Sequence, residues 1–291
     1  MSLRLTGFYR LIMSLALENL SGPAERIARP RSYLMCRPSH FEVSYEINVW
    51  MDASVEVDRE LAMRQWEELK ATYERLGNTV EVIEGAAGQP DMVFAANAGT
   101  VIGGTVVAAR FLRAERTGEQ APYTDWFWSR FTDVVVPRHV NEGEGDYLWT
   151  GSVLLAGSGF RTDPLAHAEL AAALEVDIVQ LELVSPRFYH LDTALAILGD
   201  DEIAYLPEAF SQTSQQTLRN RFPDAIIASL ADAQWFGLNA TSDGKNVVVA
   251  AQAEQLQRDL AAAGYTPVPV DVSEFRKAGG GIKCCTLELR N

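Results

Sequence analysis

Residues 189–206 read Tyr189-His190-Leu191-Asp192-Thr193-Ala194-Leu195-Ala196-Ile197-Leu198-Gly199-Asp200-Asp201-Glu202-Ile203-Ala204-Tyr205-Leu206. A polar lead residue is followed by a β-rich run (Leu195–Leu198), a Gly/Asp turn and a second run (Ile203–Leu206). A helical pattern then covers Gln212–Arg221. Turn residues between short apolar runs predict a hairpin, and the helix after it predicts a crossover to a further strand. The same unit recurs. With Asn48, Asn97, Asp146, His190, Asn239 and Cys284 as leads, the spacing is 44 to 49 residues throughout. Glycine-containing turns recur with them at Gly103-Gly104, Gly157-Ser158-Gly159, Gly199-Asp200-Asp201 and Asp243-Gly244. Self-similarity at a fixed period signals a modular architecture. It predicts an α/β fold of about five ββαβ modules in a ring, the first and last pieces sharing one module. An open doubly wound sheet would also alternate strands and helices, but no GxGxxG or GxxxxGK[ST] follows a strand here.

Other strand-like runs are Val80–Ile83, Thr100–Ala108, Val134–Pro137, Val153–Ala156, Ile178–Leu183, Val247–Ala250 and Val268–Val270. Helices are expected at Val57–Leu76 (stopped by Gly77), Pro164–Leu174 and Ala253–Ala263. Residues 1–31 have no clear period and read as an irregular leader, with 32–291 as one domain. Leu11–Leu17 is short, broken by Met13-Ser14 and followed by Glu18, a poor secretory signal.

The 291 residues carry a formal charge of −14, which repels nucleic acid and anionic membrane and mildly favours cationic small molecules. No apolar run is long enough for a transmembrane helix. Three cysteines, two of them adjacent, make no disulfide framework and suit a reducing, cytoplasmic compartment. Four histidines show no zinc-type spacing with the cysteines, which gives no reason to expect a metal cofactor.

Four segments carry the candidate chemistry. Gly279-Gly280-Gly281-Ile282-Lys283-Cys284-Cys285-Thr286 places a cysteine after a backbone that bends freely and admits a ligand closely; a nearby cation would favour its thiolate. In Tyr189-His190-Leu191-Asp192, an extended backbone would put His190, a proton shuttle, and Asp192 on one face. Asn141-Glu142-Gly143-Glu144-Gly145-Asp146 sets three carboxylates in a glycine-broken turn, either a cation site or a solvated loop. In Pro90–Gly99, Asp91 and Asn97 bracket an apolar run. Each alone also fits an ordinary structural role: buried thiols, a strand-end histidine, loop polar residues.

Together, and in this order, the four segments resemble the guanidino-modifying family of arginine deiminases, dimethylarginine dimethylaminohydrolases and amidinotransferases. The resemblance runs from about Leu34 to Leu289. It implies the five-bladed α/β propeller called the pentein fold and a hydrolase for the guanidino group of arginine or methylarginine. Cys284 matches the nucleophile, His190 the general acid/base and Glu142 the carboxylate that orients it. Asp192 matches a guanidinium carboxylate and Asp91 the partner of the substrate's α-amino group. Arg110 and Arg161 resemble partners for its carboxylate, where a bidentate fork is useful. Two departures set the chain apart: Asn97 stands where most deiminases carry aspartate, and EGGD is lengthened to Glu142–Asp146. Both resemble the arginine dihydrolase branch, which goes on to ornithine; Asn48 would contribute there too. An amidinotransferase, or a binding-only pentein, is the alternative; a homodimer is possible. A papain-like protease fits poorly, because its cysteine precedes its histidine.

Overall fold

The computed structural model describes residues 26–290, so most of the expected leader lies outside the described residues. Residues 26–31 carry no helix or strand. Fifteen short strands and eight α-helices follow among the described residues. In chain order the strands are β1 (Ser32–Cys36), β2 (Thr79–Ile83), β3 (Gly99–Ile102), β4 (Thr105–Ala108), β5 (Asp133–Val135), β6 (Tyr147–Trp149), β7 (Leu154–Ser158) and β8 (Ile178–Glu182). They continue with β9 (Leu195–Gly199), β10 (Glu202–Tyr205), β11 (Ile226–Ile227), β12 (Thr241–Ser242), β13 (Asn246–Ala250), β14 (Thr266–Val270) and β15 (Leu287–Glu288). The helices are α1 (Arg59–Arg75), α2 (Gln120–Arg130), α3 (Pro164–Leu174), α4 (Leu191–Ala194), α5 (Gln212–Arg221), α6 (Leu230–Gln234), α7 (Glu254–Ala262) and α8 (Ser273–Arg276).

The fold is mixed α/β: the strands form five three-stranded sheets, β15-β1-β2, β3-β4-β5, β6-β7-β8, β9-β10-β11 and β12-β13-β14. In each, the first strand pairs antiparallel and the third parallel to the middle one. A parallel pair needs a crossover, and α1, α2, α3, α5 and α7 supply it, one per sheet. This is the repeating unit read from the sequence. The two ends of the chain do share a sheet, since β15 supplies the first strand beside β1. The core follows from the pattern: Trp66, Leu69 and Tyr73 of α1 are buried against Tyr33, Met35 and Phe275.

Several details depart from the sequence reading. α1 begins at Arg59 rather than Val57, because the Asp58 side chain accepts from Leu61 N at 2.9 Å and caps it. Thr100–Ala108 is a hairpin, split by Gly103 and Gly104, both at positive φ. Gly157-Ser158 is not a turn but the end of β7; the β6–β7 turn falls at Gly151 (φ 95°). Gly157 is small for another reason: a Cβ there would lie 2.9 Å from both Asp146 Oδ1 and Leu191 Cβ. Asn48 does not lead a first strand, because that place in its sheet is taken by β15, which Cys284 precedes. Helix α2 and, apart from β5, the strands of two or three residues have too little period to be seen in sequence.

Candidate active site

Five leads, Asn97, Asp146, His190, Asn239 and Cys284, stand just before the first strands of the five sheets. Equivalent positions in the modules bring residues far apart in sequence into one buried cluster. All five are 2% exposed or less.

Cys284 lies in a turn, with Cys285 and Thr286 between it and β15. Its Sγ is 3.2 Å from Asp192 Oδ2 and 3.1 Å from Asn239 Nδ2. His190 is the last extended residue (φ −120°, ψ 152°) before the turn of α4. Asp192 therefore lies in a helical turn, and the expected shared face of an extended segment is not formed; alternation along a strand does not apply there. The turn itself is held by Asp146, whose Oδ1 accepts from Leu191 N at 3.1 Å while its Oδ2 accepts from Thr162 Oγ1 at 2.7 Å.

Glu142 Oε2 faces His190 Nε2 at 2.7 Å and accepts from Arg161 Nη1 at 3.0 Å. Arg161 also donates to Ile47 O at 3.0 Å and stacks over the Tyr189 ring. The arginine expected to meet a substrate carboxylate is thus engaged with Glu142 and buried beside it. Arg110 is exposed and pairs through its backbone with Asn141, so its side chain is not part of the cluster. The acidic patch is neither a solvated loop nor a single cation site. Glu144 meets Lys283 Nζ at 2.6 Å and also Arg290, well apart from the partners of Glu142 and Asp146.

Asn97 sits in a 3₁₀ turn, its Nδ2 donating to Glu142 O at 3.3 Å and its Oδ1 accepting from Arg116 Nη1 at 2.8 Å. Gly145 makes this possible: a Cβ there would come within 2.3 Å of Asn97 Nδ2 and 3.2 Å of His190 Nδ1. Arg116, which nothing in the sequence singled out, also donates to Asp91 O and forms a two-pronged pair with Glu119 (2.8 and 2.9 Å). Replacing Arg116 by glutamine would leave Glu119 buried without its counter-charge, an expected cost of about 3–5 kcal/mol. Chemical denaturation would measure it; a loss under about 1 kcal/mol would refute the pair's importance.

Two carboxylate oxygens in this cluster, Asp91 Oδ1 and Asp192 Oδ1, are buried with no hydrogen-bond partner among the described residues. Burial pushes both carboxyls up, Asp192 to about 7 despite the pull of Lys283. Burial, and then the facing Asp192, also push the Cys284 thiol well above its ordinary value. Among the described residues, no His/Cys/Asp/Glu group is placed to hold a metal.

A segment without helix or strand, residues 37–58, carries Asn48 over the cluster. Asn48 Nδ2 donates to Ala278 O at 3.1 Å, and Trp50 Nε1 to Arg187 O at 2.7 Å. A cavity of about 430 Å³ lies elsewhere, lined by Arg31, Thr241, Lys283 and Arg290, none of which touches the Cys284 sulfur. Cys284, His190 and Asp192 are closed over instead, each 2% exposed or less. No helix among the described residues is long and apolar enough to cross a membrane.

Comparison with known proteins agrees with this arrangement. Residues 37–291 match the family described as N,N dimethylarginine dimethylhydrolase, eukaryotic. The chain is 52% identical over 284 residues to the N(G),N(G)-dimethylarginine dimethylaminohydrolase of Mycobacterium tuberculosis, covering 97% of this chain and 94% of that protein. It is 38% identical to the bifunctional arginine dihydrolase/ornithine cyclodeaminase ArgZ of Synechocystis, with 88% of this chain aligned but only 37% of that longer protein. The N-terminal domain of ArgZ, solved covalently bound to a reaction intermediate, superposes with a TM-score of 0.87 at 36% identity, covering 90% of this chain and 98% of that one. By sequence and by structure, the chain belongs to the dimethylarginine dimethylaminohydrolase family, within the guanidino-modifying pentein superfamily.

Proposed function

We propose that the chain is a thiol hydrolase that cleaves a C–N bond in the guanidino group of arginine or a methylated arginine through a covalent intermediate on Cys284. One observation carries the reading. Asp192 sets one carboxylate oxygen 3.2 Å from the Cys284 sulfur and leaves the other buried and unpartnered. A planar cation donating to that carboxylate brings its central carbon to the sulfur and relieves the cost of the orphaned oxygen. The relatives fit: one is a dimethylarginine dimethylaminohydrolase, and ArgZ has been solved with a covalent intermediate.

In this reading the bound guanidinium offsets the negative charge on Asp192 and so lowers the cost of the Cys284 thiolate. The thiolate adds to the guanidinium carbon. His190, aligned by Glu142 through Nε2, gives a proton through its other ring nitrogen to the departing amine. The C–N bond breaks and a thiouronium remains on sulfur. Water then attacks with the same histidine as base, the C–S bond breaks, and a ureido product leaves. From arginine this gives citrulline and ammonia; from dimethylarginine, citrulline and dimethylamine. Asp91, with its free oxygen, would take the α-amino group. Arg161, held by Glu142, and Arg116, held by Glu119, would act by fixing those carboxylates and would meet the substrate's carboxylate only after giving up a bond. Asn48 would close over the substrate from the covering segment. The five sheets, joined through β1 and β15, would be the blades of one propeller, with 32–291 as its domain.

Asn97 bears on whether reaction stops at citrulline or adds a second water to reach ornithine, carbon dioxide and a second ammonia. The test is incubation with L-arginine and, separately, asymmetric dimethylarginine, quantifying citrulline, ornithine, ammonia and dimethylamine for the parent and Asn97→Asp. Citrulline or ornithine from either substrate is expected. If Asn97 admits the second hydrolysis, Asn97→Asp lowers the ornithine-to-citrulline ratio by about tenfold, a difference of about 1.4 kcal/mol between the two barriers. No turnover of either substrate, with or without glycine or ornithine as amidino acceptors, would overturn the hydrolase reading.

A further inference from the structure

We propose that Asn239 is the positioning residue of the nucleophile: its carboxamide clamps Cys284 by backbone and sulfur together and supplies the hydrogen bond that receives the thiolate. The inference deepens the hydrolase reading and rests on it for its catalytic meaning, but its central observable does not depend on turnover.

Asn239 is wholly buried, and every polar atom of its side chain is used. Its Oδ1 accepts from Cys284 N at 3.0 Å, while its Nδ2 donates to Asp192 O at 3.1 Å and to Cys284 Sγ at 3.1 Å. The main chain adds a fourth link, Lys283 N to Asn239 O at 3.1 Å. The amide's orientation has no freedom: a backbone N–H can only donate and a backbone carbonyl can only accept, so the oxygen must face Cys284 and the nitrogen Asp192. The second amide hydrogen then has the sulfur as its partner. Gly281 lets the amide sit there, since a Cβ at that position would already lie 3.0 Å from Asn239 Oδ1.

This geometry does two things. It ties the backbone and the sulfur of one residue to opposite ends of a rigid plane, which limits rotation about the Cys284 Cα–Cβ bond. It also places a donor against sulfur, and a donor favours the charged form of the group it meets. Apart from the backbone of Gly281, which favours the thiolate, the other groups facing the sulfur work against ionisation or stand back from it. Asp192 is an acceptor for the thiol proton, and Cys285 and Tyr189 are buried neighbours that carry no positive charge. The Lys283 ammonium is turned away to Glu144. His190 is held by Glu142, itself paired with Arg161. Among the described residues Asn239 is the one side-chain donor recorded on the Cys284 sulfur; the backbone of Gly281 also favours the thiolate. When a bound cation offsets the charge on Asp192, this donor remains to hold the thiolate. Asn239 also donates to the carbonyl of Asp192, so one side chain fixes nucleophile and guanidinium partner relative to each other.

The test is the pH dependence of Cys284 alkylation by iodoacetamide in the full chain, read by mass spectrometry at that cysteine, for the parent, Asn239→Asp and Asn239→Ala. Asn239→Asp keeps the shape and the acceptor for Cys284 N–H but replaces the donor on sulfur by an anionic oxygen. Its alkylation midpoint should rise by at least about one pH unit, a tenfold loss of thiolate at a given pH. Asn239→Ala should rise less. With arginine or dimethylarginine, whichever the parent turns over, kcat should fall about 10- to 100-fold, with KM changing much less. A midpoint within about 0.3 unit of the parent's, a twofold change in thiolate, in either variant with native circular dichroism overturns the proposal. If Asn239→Asp does not fold, Asn239→Ala decides. If the parent turns over neither substrate, the alkylation midpoints still decide the clamp, and only the hydrolase reading falls.

Discussion

Cys284→Ala is expected to lower citrulline and ornithine formation by about 10⁴-fold or more, because it removes the atom that forms the covalent bond rather than a group that assists it. The fold should tolerate the change. The side chain is small and buried in the turn before β15, and losing its sulfur should cost no more than about 2 kcal/mol. A mass increase on the parent protein during turnover, absent from the variant, would identify the covalent adduct. Cys285→Ala is the matched control: Cys285 is equally buried and its thiol has no hydrogen-bond contact with His190, Asp192 or Asn239, so turnover should persist. If Cys284→Ala keeps more than about 1% of parental activity, a smaller loss than removing a covalent nucleophile gives, the assignment of the nucleophile is wrong.

Glu142→Gln should be the other severe change, and it should act on stability and rate together. Glu142 is fully buried between Arg161 and His190. Glutamine is nearly the same shape but neutral, so the Arg161 guanidinium is left buried without its carboxylate, a cost of about 3–5 kcal/mol. In a chain of this size that is a fall of about 10 °C in melting temperature. Turnover should fall by about 10³-fold, since His190 loses the carboxylate that orients it. The pH dependence has a definite sign. Burial alone would raise the Glu142 carboxyl, but Arg161 and then His190 outweigh it and hold it far below the ordinary range. A carboxyl whose folded value lies below its unfolded value stabilises the protein above the unfolded value, about 4.3, and loses that contribution as pH falls. The melting-temperature gap between parent and Glu142→Gln should therefore be full near neutrality and narrow below about pH 4. A gap that stays constant from pH 3 to pH 8 would show that the ionised pair is not what stabilises the site.

The repeating strand–turn–strand–helix–strand unit, the shared first and last module, and the motif residues were legible in the sequence by itself. Hairpin turns, helix stops and a period near fifty residues are local signals, written by backbone sterics and side-chain burial within each unit. The same locality explains the errors. The shared face of His190 and Asp192 rested on assuming an extended chain, and the helical turn of α4 depends on Asp146 accepting Leu191 N from another module. Arg110 and Arg161 looked alike in sequence, yet one is exposed and the other buried against Glu142. Arg116, in the charged run Arg113-Ala114-Glu115-Arg116, reads as a solvated segment until the packing beneath Phe111 and Glu119 is known. Asn239 was visible only as a beat in the repeat. Its contacts with Cys284 and Asp192 span 45 and 47 residues, and no local pattern encodes them. Tertiary structure alone decided which carboxylates are paired and which are left open. Ionic partners are chosen by distance and burial in the assembled molecule, and residue identity along the chain carries neither.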